Sequence, residues 1–96
     1  FKKCKSCHQV GERAKNKSGP ILNGVVHHAA GSVDGFKYSK AMKAVAEGGL
    51  IWTEYELAAF LTKPKAYLKG TKMSFTGLRN EADQLAVIEY LKTFAN

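Results

Sequence analysis

The sequence has no third cysteine, only two prolines and no long apolar run. A membrane span needs about 18 or more consecutive apolar residues, so we expect a soluble chain that does not span a membrane. A zinc ribbon needs a second ligand pair beyond one C-x-x-C, so the cysteine count argues against zinc. Two cysteines in one motif also leave the redox compartment open.

Acidic residues are scarce as well. Eight Asp and Glu stand against fifteen Lys and Arg, which gives a formal charge of +7. Such a surface can meet an acidic protein, an anionic membrane or nucleic acid, or can simply be solvated, and only the charge favours nucleic acid. No segment alternates at period two, so the sequence predicts no strand. At 96 residues we expect a single domain, 1–96, whose own core is modest.

One motif near the start carries chemistry, and it reads Cys4-Lys5-Ser6-Cys7-His8. C-x-x-C-H is the attachment signature of c-type haem, in which both thiols become thioethers and the histidine becomes an axial ligand of the iron. A thioredoxin-type pair would follow a strand, and no apolar strand precedes Cys4. We therefore predict one haem c, covalent through Cys4 and Cys7, with His8 as a metal ligand.

Helix signals predict an all-α chain with long loops. The first eight residues look like the last turns of a helix, and residues 9–35 and 71–79 look like loops. Ser39, a Thr53/Glu56 capping box, Pro64 and Asn80 predict helices at about 40–47, 54–62, 64–68 and 81–94. We expect the last helix to bury Leu85, Ile88, Tyr90, Leu91 and Phe94. In the first loop, Ile21, Leu22, Val25 and Val26 are candidate apolar contacts to the porphyrin.

Four side chains could supply a second axial ligand, namely His27, His28, Met42 and Met73. Met42 falls inside a predicted helix, where core packing explains it. Met73 lies in a predicted loop, and a thioether favours ferrous iron, so we predict Met73. An alternative stays open: a labile sixth ligand beside His27 or His28 would make a gas-binding or peroxide-reactive haem protein or enzyme.

Several further stretches fall in order along the whole chain. They are Gly19-Pro20 with Leu22-Asn23, Gly35-Phe36-Lys37-Tyr38-Ser39, Trp52-Thr53, Lys63-Pro64-Lys65, Gly70-Thr71-Lys72-Met73 and Ile88-Glu89-Tyr90-Leu91-Lys92. With the C-x-x-C-H motif they resemble the class I cytochromes c, and look most like bacterial cytochromes c2 and mitochondrial cytochromes c. The resemblance implies short helices and long loops wrapped around one covalent haem.

The resemblance also implies roles for individual residues. It makes Met73 the second axial ligand. It also makes the Pro20 carbonyl the acceptor of a hydrogen bond from the N–H of the proximal imidazole, His8. It places Tyr38 and Trp52 on one haem propionate and Thr71 near the other.

The chain also departs from the family pattern. His27-His28 stand where an arginine is usual, and Phe60 stands where a tyrosine often bonds the methionine sulfur. The N-terminal helix looks shortened, which leaves Phe1 as the main cover for Leu91 and Phe94.

The implied function is soluble one-electron transport in a respiratory or photosynthetic chain, and not an enzyme activity. Implied partners are acidic redox proteins such as a cytochrome bc1-type complex and an oxidase or photosynthetic reaction centre. We expect the chain to be a monomer. Its implied compartment is the periplasm or, alternatively, the mitochondrial intermembrane space. A ring of lysines would border the haem edge: Lys3, Lys5, Lys15, Lys17, Lys65 and Lys72. The redox domain of a larger membrane-anchored cytochrome is a further alternative.

Overall fold

The computed structural model describes residues 1–94, apart from the side chain of Lys2. A 3-10 turn at Lys2–Cys4 is followed by four α-helices, which are α1 (Lys40–Glu47), α2 (Glu54–Thr62), α3 (Pro64–Tyr67) and α4 (Glu81–Lys92). The extended pairing in this part of the chain is one isolated antiparallel bridge between Ala29 and Ile51. The all-α prediction is therefore confirmed. None of the described helices is both long enough and apolar enough to cross a membrane.

Side-chain caps set the starts of three helices. The Ser39 hydroxyl accepts the Met42 N–H at 3.1 Å, and the Thr53 hydroxyl accepts the Glu56 N–H at 3.1 Å. Asn80 accepts the N–H of Ala82 at 2.8 Å. These bonds satisfy backbone donors that have no partner inside the helix, which is why the starts fall where the sequence predicts.

The capping box predicted at α2 forms only in part. The Glu56 carboxylate accepts the Tyr67 hydroxyl at 2.6 Å instead of returning to its own helix start, and the Thr53 N–H donates to the Ile51 carbonyl at 2.8 Å. The Glu56 carboxylate therefore bonds the Tyr67 hydroxyl of α3 in place of the backbone N–H at the start of α2. Glu56 joins α2 to α3.

The inner face of α4 matches the predicted one at Ile88 and Leu91 and differs from it at Leu85 and Tyr90. Gln84, Val87, Ile88 and Leu91 are its buried residues, whereas Leu85 is 53 % exposed and Tyr90 is 42 % exposed. The helix is turned so that a polar side chain faces α2, a choice that apolar spacing does not reveal. The helix also ends at Lys92, two residues before the predicted end.

The first loop is held by backbone bonds rather than by secondary structure. The Gly24 N–H donates to the Phe94 carbonyl at 2.5 Å, and the Ala30 N–H donates to the Leu50 carbonyl at 2.9 Å. Asn23 bonds both backbone groups of Gly11, at 2.9 and 2.8 Å. The predicted loop is confirmed, and these ties make it one wall of a cavity. Phe1 packs on Tyr90, with ring centroids 5.4 Å apart.

Candidate haem site

A cavity of about 710 Å³ lies between the N-terminal turn, the first loop, α2, α4 and the loop that follows α3. This volume falls within the range of small-molecule and cofactor pockets, about 300–1,000 Å³. Most of the wall is apolar. Wall residues include Leu22, Val25, Met42, Leu57, Phe60, Leu61, Val87 and Leu91. Ile21 also lines it, whereas Val26 does not and packs against the hydrophobic core.

Cys4, Cys7 and His8 stand together on the cavity wall. The Cys4 carbonyl accepts the N–H groups of Cys7 at 3.1 Å and of His8 at 2.9 Å, so the motif forms one helical turn. Cys4 is partly buried and Cys7 is exposed, and burial raises the pKa of the Cys4 thiol. Two thiols three residues apart on a turn lie on one side of it, where both can reach one edge of a flat ligand.

His8 is presented as a neutral ligand with one nitrogen available. Its Nδ1 lies 2.8 Å from the Pro20 carbonyl oxygen. A carbonyl can only accept, so Nδ1 carries the proton, and in the neutral imidazole Nε2 keeps its lone pair. Burial lowers the pKa of His8, and the bond to Pro20 opposes that shift in part. An imidazole oriented and polarised by a carbonyl on its far nitrogen is the usual arrangement of a metal-bound histidine.

Gly19 makes room for that imidazole. A Cβ at this position would collide with three atoms of the His8 ring. The Gly19 N–H donates to the Cys7 carbonyl at 2.9 Å, and its carbonyl accepts the Lys17 N–H at 2.9 Å. The backbone is therefore held against the ring, and residue 19 must be small because of packing.

The four candidate second ligands occupy different places. Met73 lines the cavity, and its backbone N–H donates to the Thr71 hydroxyl at 3.3 Å. Met42, in α1, also lines the cavity, and both methionines pack against the core. His28 is exposed and lines the cavity as well. His27 lies outside the lining, with Nε2 3.8 Å from the Glu54 carboxylate.

Three side chains named from the resemblance add polar groups to the apolar wall. Tyr38, Trp52 and Thr71 all line the cavity. The Tyr38 oxygen accepts the Val33 N–H at 3.0 Å, so its hydrogen remains available to an acceptor. Burial raises the pKa of Tyr38, and the bond from Val33 opposes it, so the phenol is a neutral donor at neutral pH. Such donors suit a carboxylate that is taken out of water.

Together these residues fit a haem. Paired thiols, a neutral imidazole with a free lone pair, a thioether and hydroxyl donors surround one apolar space of suitable volume. Sequence reasoning did not find Val33, Val87 or Leu91 as wall residues. A loop valine and a helix valine carry no chemical signal, and only the packed structure reveals their position.

A smaller cleft of about 210 Å³ adjoins this cavity. We call it the cationic cleft, and its lining comprises Lys63, Lys65, Ser74, Phe75, Thr76 and Arg79. Ser74 and Phe75 also line the large cavity, so the two spaces share a wall. Lys63 and Arg79 were not among the basic residues predicted to border the haem edge.

Comparison with known proteins finds extensive similarity. The chain is 49 % identical over 94 residues to cytochrome c2 of Afifella marina, covering 98 % of this chain and 76 % of that protein. It is 52 % identical over 93 residues to cytochrome c2 of Rhodomicrobium vannielii, covering 97 % and 72 %. No protein-family model matches.

Solved structures give the same picture. Cytochrome c2 from Rhodospirillum centenum superposes with a TM-score of 0.93 at 40 % identity, over 100 % of this chain and 92 % of that one. Cytochrome cH from Methylobacterium extorquens gives a TM-score of 0.86 at 40 % identity, over 97 % and 90 %.

Proposed function

The chain belongs to the cytochrome c2 group of the class I cytochromes c, and we propose that His8 and Met73 are the two axial ligands of its haem iron. Members of this family carry a covalent c-type haem and transfer single electrons, so the chain is an electron carrier and not an enzyme. The haem supplies one iron that alternates between Fe(III) and Fe(II).

The His8–Pro20 bond is the single observation that carries the proposal. It fixes the tautomer of the neutral imidazole and orients the ring, so Nε2 would be the nitrogen that coordinates the iron. Cys4 and Cys7, on the same turn, would hold one edge of the porphyrin.

Met73 is the better second ligand of the four candidates for a carrier. His27 is outside the cavity. Met42 and Met73 both line the cavity and pack against the core, but Met42 lies within α1, where helical packing accounts for it, whereas Met73 lies in the loop after α3. His28 lines the cavity but is exposed. A neutral, soft thioether raises the reduction potential relative to a second imidazole. Two protein ligands would also leave no coordination site for a gas or peroxide.

Tyr38, Trp52 and Thr71 are proposed to bind the haem propionates. Their positions on the cavity wall and the free hydrogen of Tyr38 support this role. Trp52 is only 7 % exposed, so a carboxylate at its side would be largely removed from water. Hydrogen bonds to the charged form offset that desolvation.

The surface at the cationic cleft is the proposed docking site for acidic redox partners. Lys3 and Lys72 line the haem cavity, and Lys65 lines the cleft that shares Ser74 and Phe75 with it. Positive charge beside the place where the electron leaves steers an acidic protein and orients it. A cytochrome bc1-type complex and an oxidase or reaction centre are the proposed partners, and the periplasm is the proposed compartment.

The ionic-strength dependence of electron transfer tests this docking site. Lys65→Gln should slow reduction by a cytochrome bc1 complex at low salt and flatten the salt dependence. Lys43→Gln removes the same charge from α1, where Lys43 lines neither cavity, and should have little effect. Equal effects of the two substitutions would contradict a localised site.

A redox titration tests the carrier function itself. The holoprotein should show one reversible transition of a single electron, and the reduced form should not be oxidised rapidly by peroxide. Rapid turnover of peroxide would instead support the open-site alternative, with His28 as the polar group on the cavity wall.

A further inference from the structure

Gln84 is a polar side chain buried on the inner face of α4. It is 7 % exposed, and the other buried polar side chain among the described residues, Ser39, is accounted for as a helix cap. A primary amide is costly to bury unless its hydrogens are bonded. Nothing in the haem-site assignments above uses Gln84, so its burial needs its own reason.

Both hydrogens of the Gln84 amide are bonded. Nε2 lies 2.5 Å from the Leu78 carbonyl oxygen and 2.9 Å from the Thr62 hydroxyl oxygen. The Leu78 carbonyl can only accept, which fixes the nitrogen, rather than the amide oxygen, on this side. Thr62 donates its own hydrogen to the Ala58 carbonyl at 2.8 Å and is free to accept from Gln84. One side chain therefore ties α4, the end of α2 and the loop after α3.

The loop is tightly seated at the same point. The Leu78 N–H donates to the Leu61 carbonyl at 2.6 Å. Gly77 has a φ of +131°, and a Cβ there would collide with the Thr62 carbonyl. Both backbone groups of Leu78 are thus bonded to neighbouring segments. These two bonds anchor the C-terminal end of the loop that carries Met73 to α2 and α4.

We propose that Gln84 is a positioning residue for Met73, which acts by holding the loop from Met73 to Leu78 against α2. The inference rests on the proposed assignment of Met73 as axial ligand. While Gln84 bonds Leu78, the whole loop cannot open and carry Met73 away from the iron unless that bond breaks. Without it, the loop opens more easily and the iron becomes more accessible to an external ligand.

Imidazole binding to the ferric holoprotein measures this opening, because imidazole takes the iron only when Met73 leaves. Gln84→Met keeps the length of the side chain and removes both hydrogen bonds. We expect it to bind imidazole about tenfold more tightly than wild type, as the loss of one to two net hydrogen bonds implies. The titration is followed by the weak absorption near the red end that reports methionine bound to iron.

Ile88→Val separates this role from general destabilisation. Ile88 is 1 % exposed on the same helix, and its loss of one methyl lowers stability without touching the amide bonds. Its imidazole affinity should stay close to wild type. If Gln84→Met lowers the urea midpoint but leaves imidazole affinity unchanged, or if Ile88→Val raises affinity as much, the inference is overturned. A wild type that lacks the red-end absorption would instead overturn the ligand assignment, and this inference with it.

Discussion

Replacing Gly19 by alanine should damage the protein through the ring of His8. The added Cβ would overlap the imidazole, and the Gly19 backbone cannot withdraw easily because it bonds Cys7 and Lys17. The ring must therefore turn or shift. That movement strains or breaks the 2.8 Å bond to the Pro20 carbonyl.

The expected cost combines two effects. Forcing an extra methyl into a packed site costs about 1–3 kcal/mol, and losing one hydrogen bond costs about 1 kcal/mol more. Gly19→Ala should therefore lower the free energy of unfolding by about 2–4 kcal/mol. For a domain near 100 residues, each kcal/mol is roughly 4–8 °C in Tm. Thermal or urea unfolding of the holoprotein measures the change.

Gly48→Ala is the matched control. Gly48 ends α1 with a φ of −74°, and a Cβ there meets only ordinary contacts at 3.5 and 3.7 Å. Its stability should change by less than about 1 kcal/mol. The reduction potential should also move in Gly19→Ala and not in Gly48→Ala, because only the first disturbs the His8 bond. Unchanged stability and potential in Gly19→Ala would refute the packing argument.

Three further predictions follow from individual contacts. Phe60→Tyr places a hydroxyl on the cavity wall and should shift the midpoint potential in a redox titration; an unchanged midpoint would exclude an interaction with the Met73 sulfur. Burial first, and then Glu56, raise the pKa of Tyr67 to about 12, so the phenol's contribution to stability is complete below about pH 10 and is lost as pH rises toward 12. Between about pH 9 and about pH 11.5, the urea midpoint should therefore decrease less in Tyr67→Phe than in wild type. Equal decreases in the two proteins would contradict the raised pKa of Tyr67. Asn80→Ala removes the cap of α4 and should cost about 1 kcal/mol in urea unfolding, whereas Asn80→Ser should retain most of the stability.

Helix starts were predictable because capping is a local event. Ser39, Thr53 and Asn80 each bond a backbone donor two or three residues ahead, so the sequence alone contains both partners. The inner face of α4 was not predictable in the same way. Gln84 is buried because Leu78 and Thr62 supply acceptors, and neither is a neighbour in sequence.

The residues of the candidate haem site were also only partly predictable from the sequence. The C-x-x-C-H motif and the family resemblance named the cavity residues, but they could not separate His27 from His28. His27 has a φ of +70° and lies beside Glu54, while His28 lines the cavity. That separation depends on the turn and on the Ala29–Ile51 bridge. A long-range pairing of this kind leaves no periodic signal.

The oxidised absorption spectrum tests the central claim most directly. Wild-type ferric holoprotein should show the weak absorption near the red end that is diagnostic of methionine bound to iron. Met73→Leu should abolish it, and Met42→Leu should retain it, because Met42 is a helical residue of α1 whereas Met73 lies in the loop that follows α3. An absorption that survives Met73→Leu, or that is absent from wild type, would contradict a haem iron held between His8 and Met73.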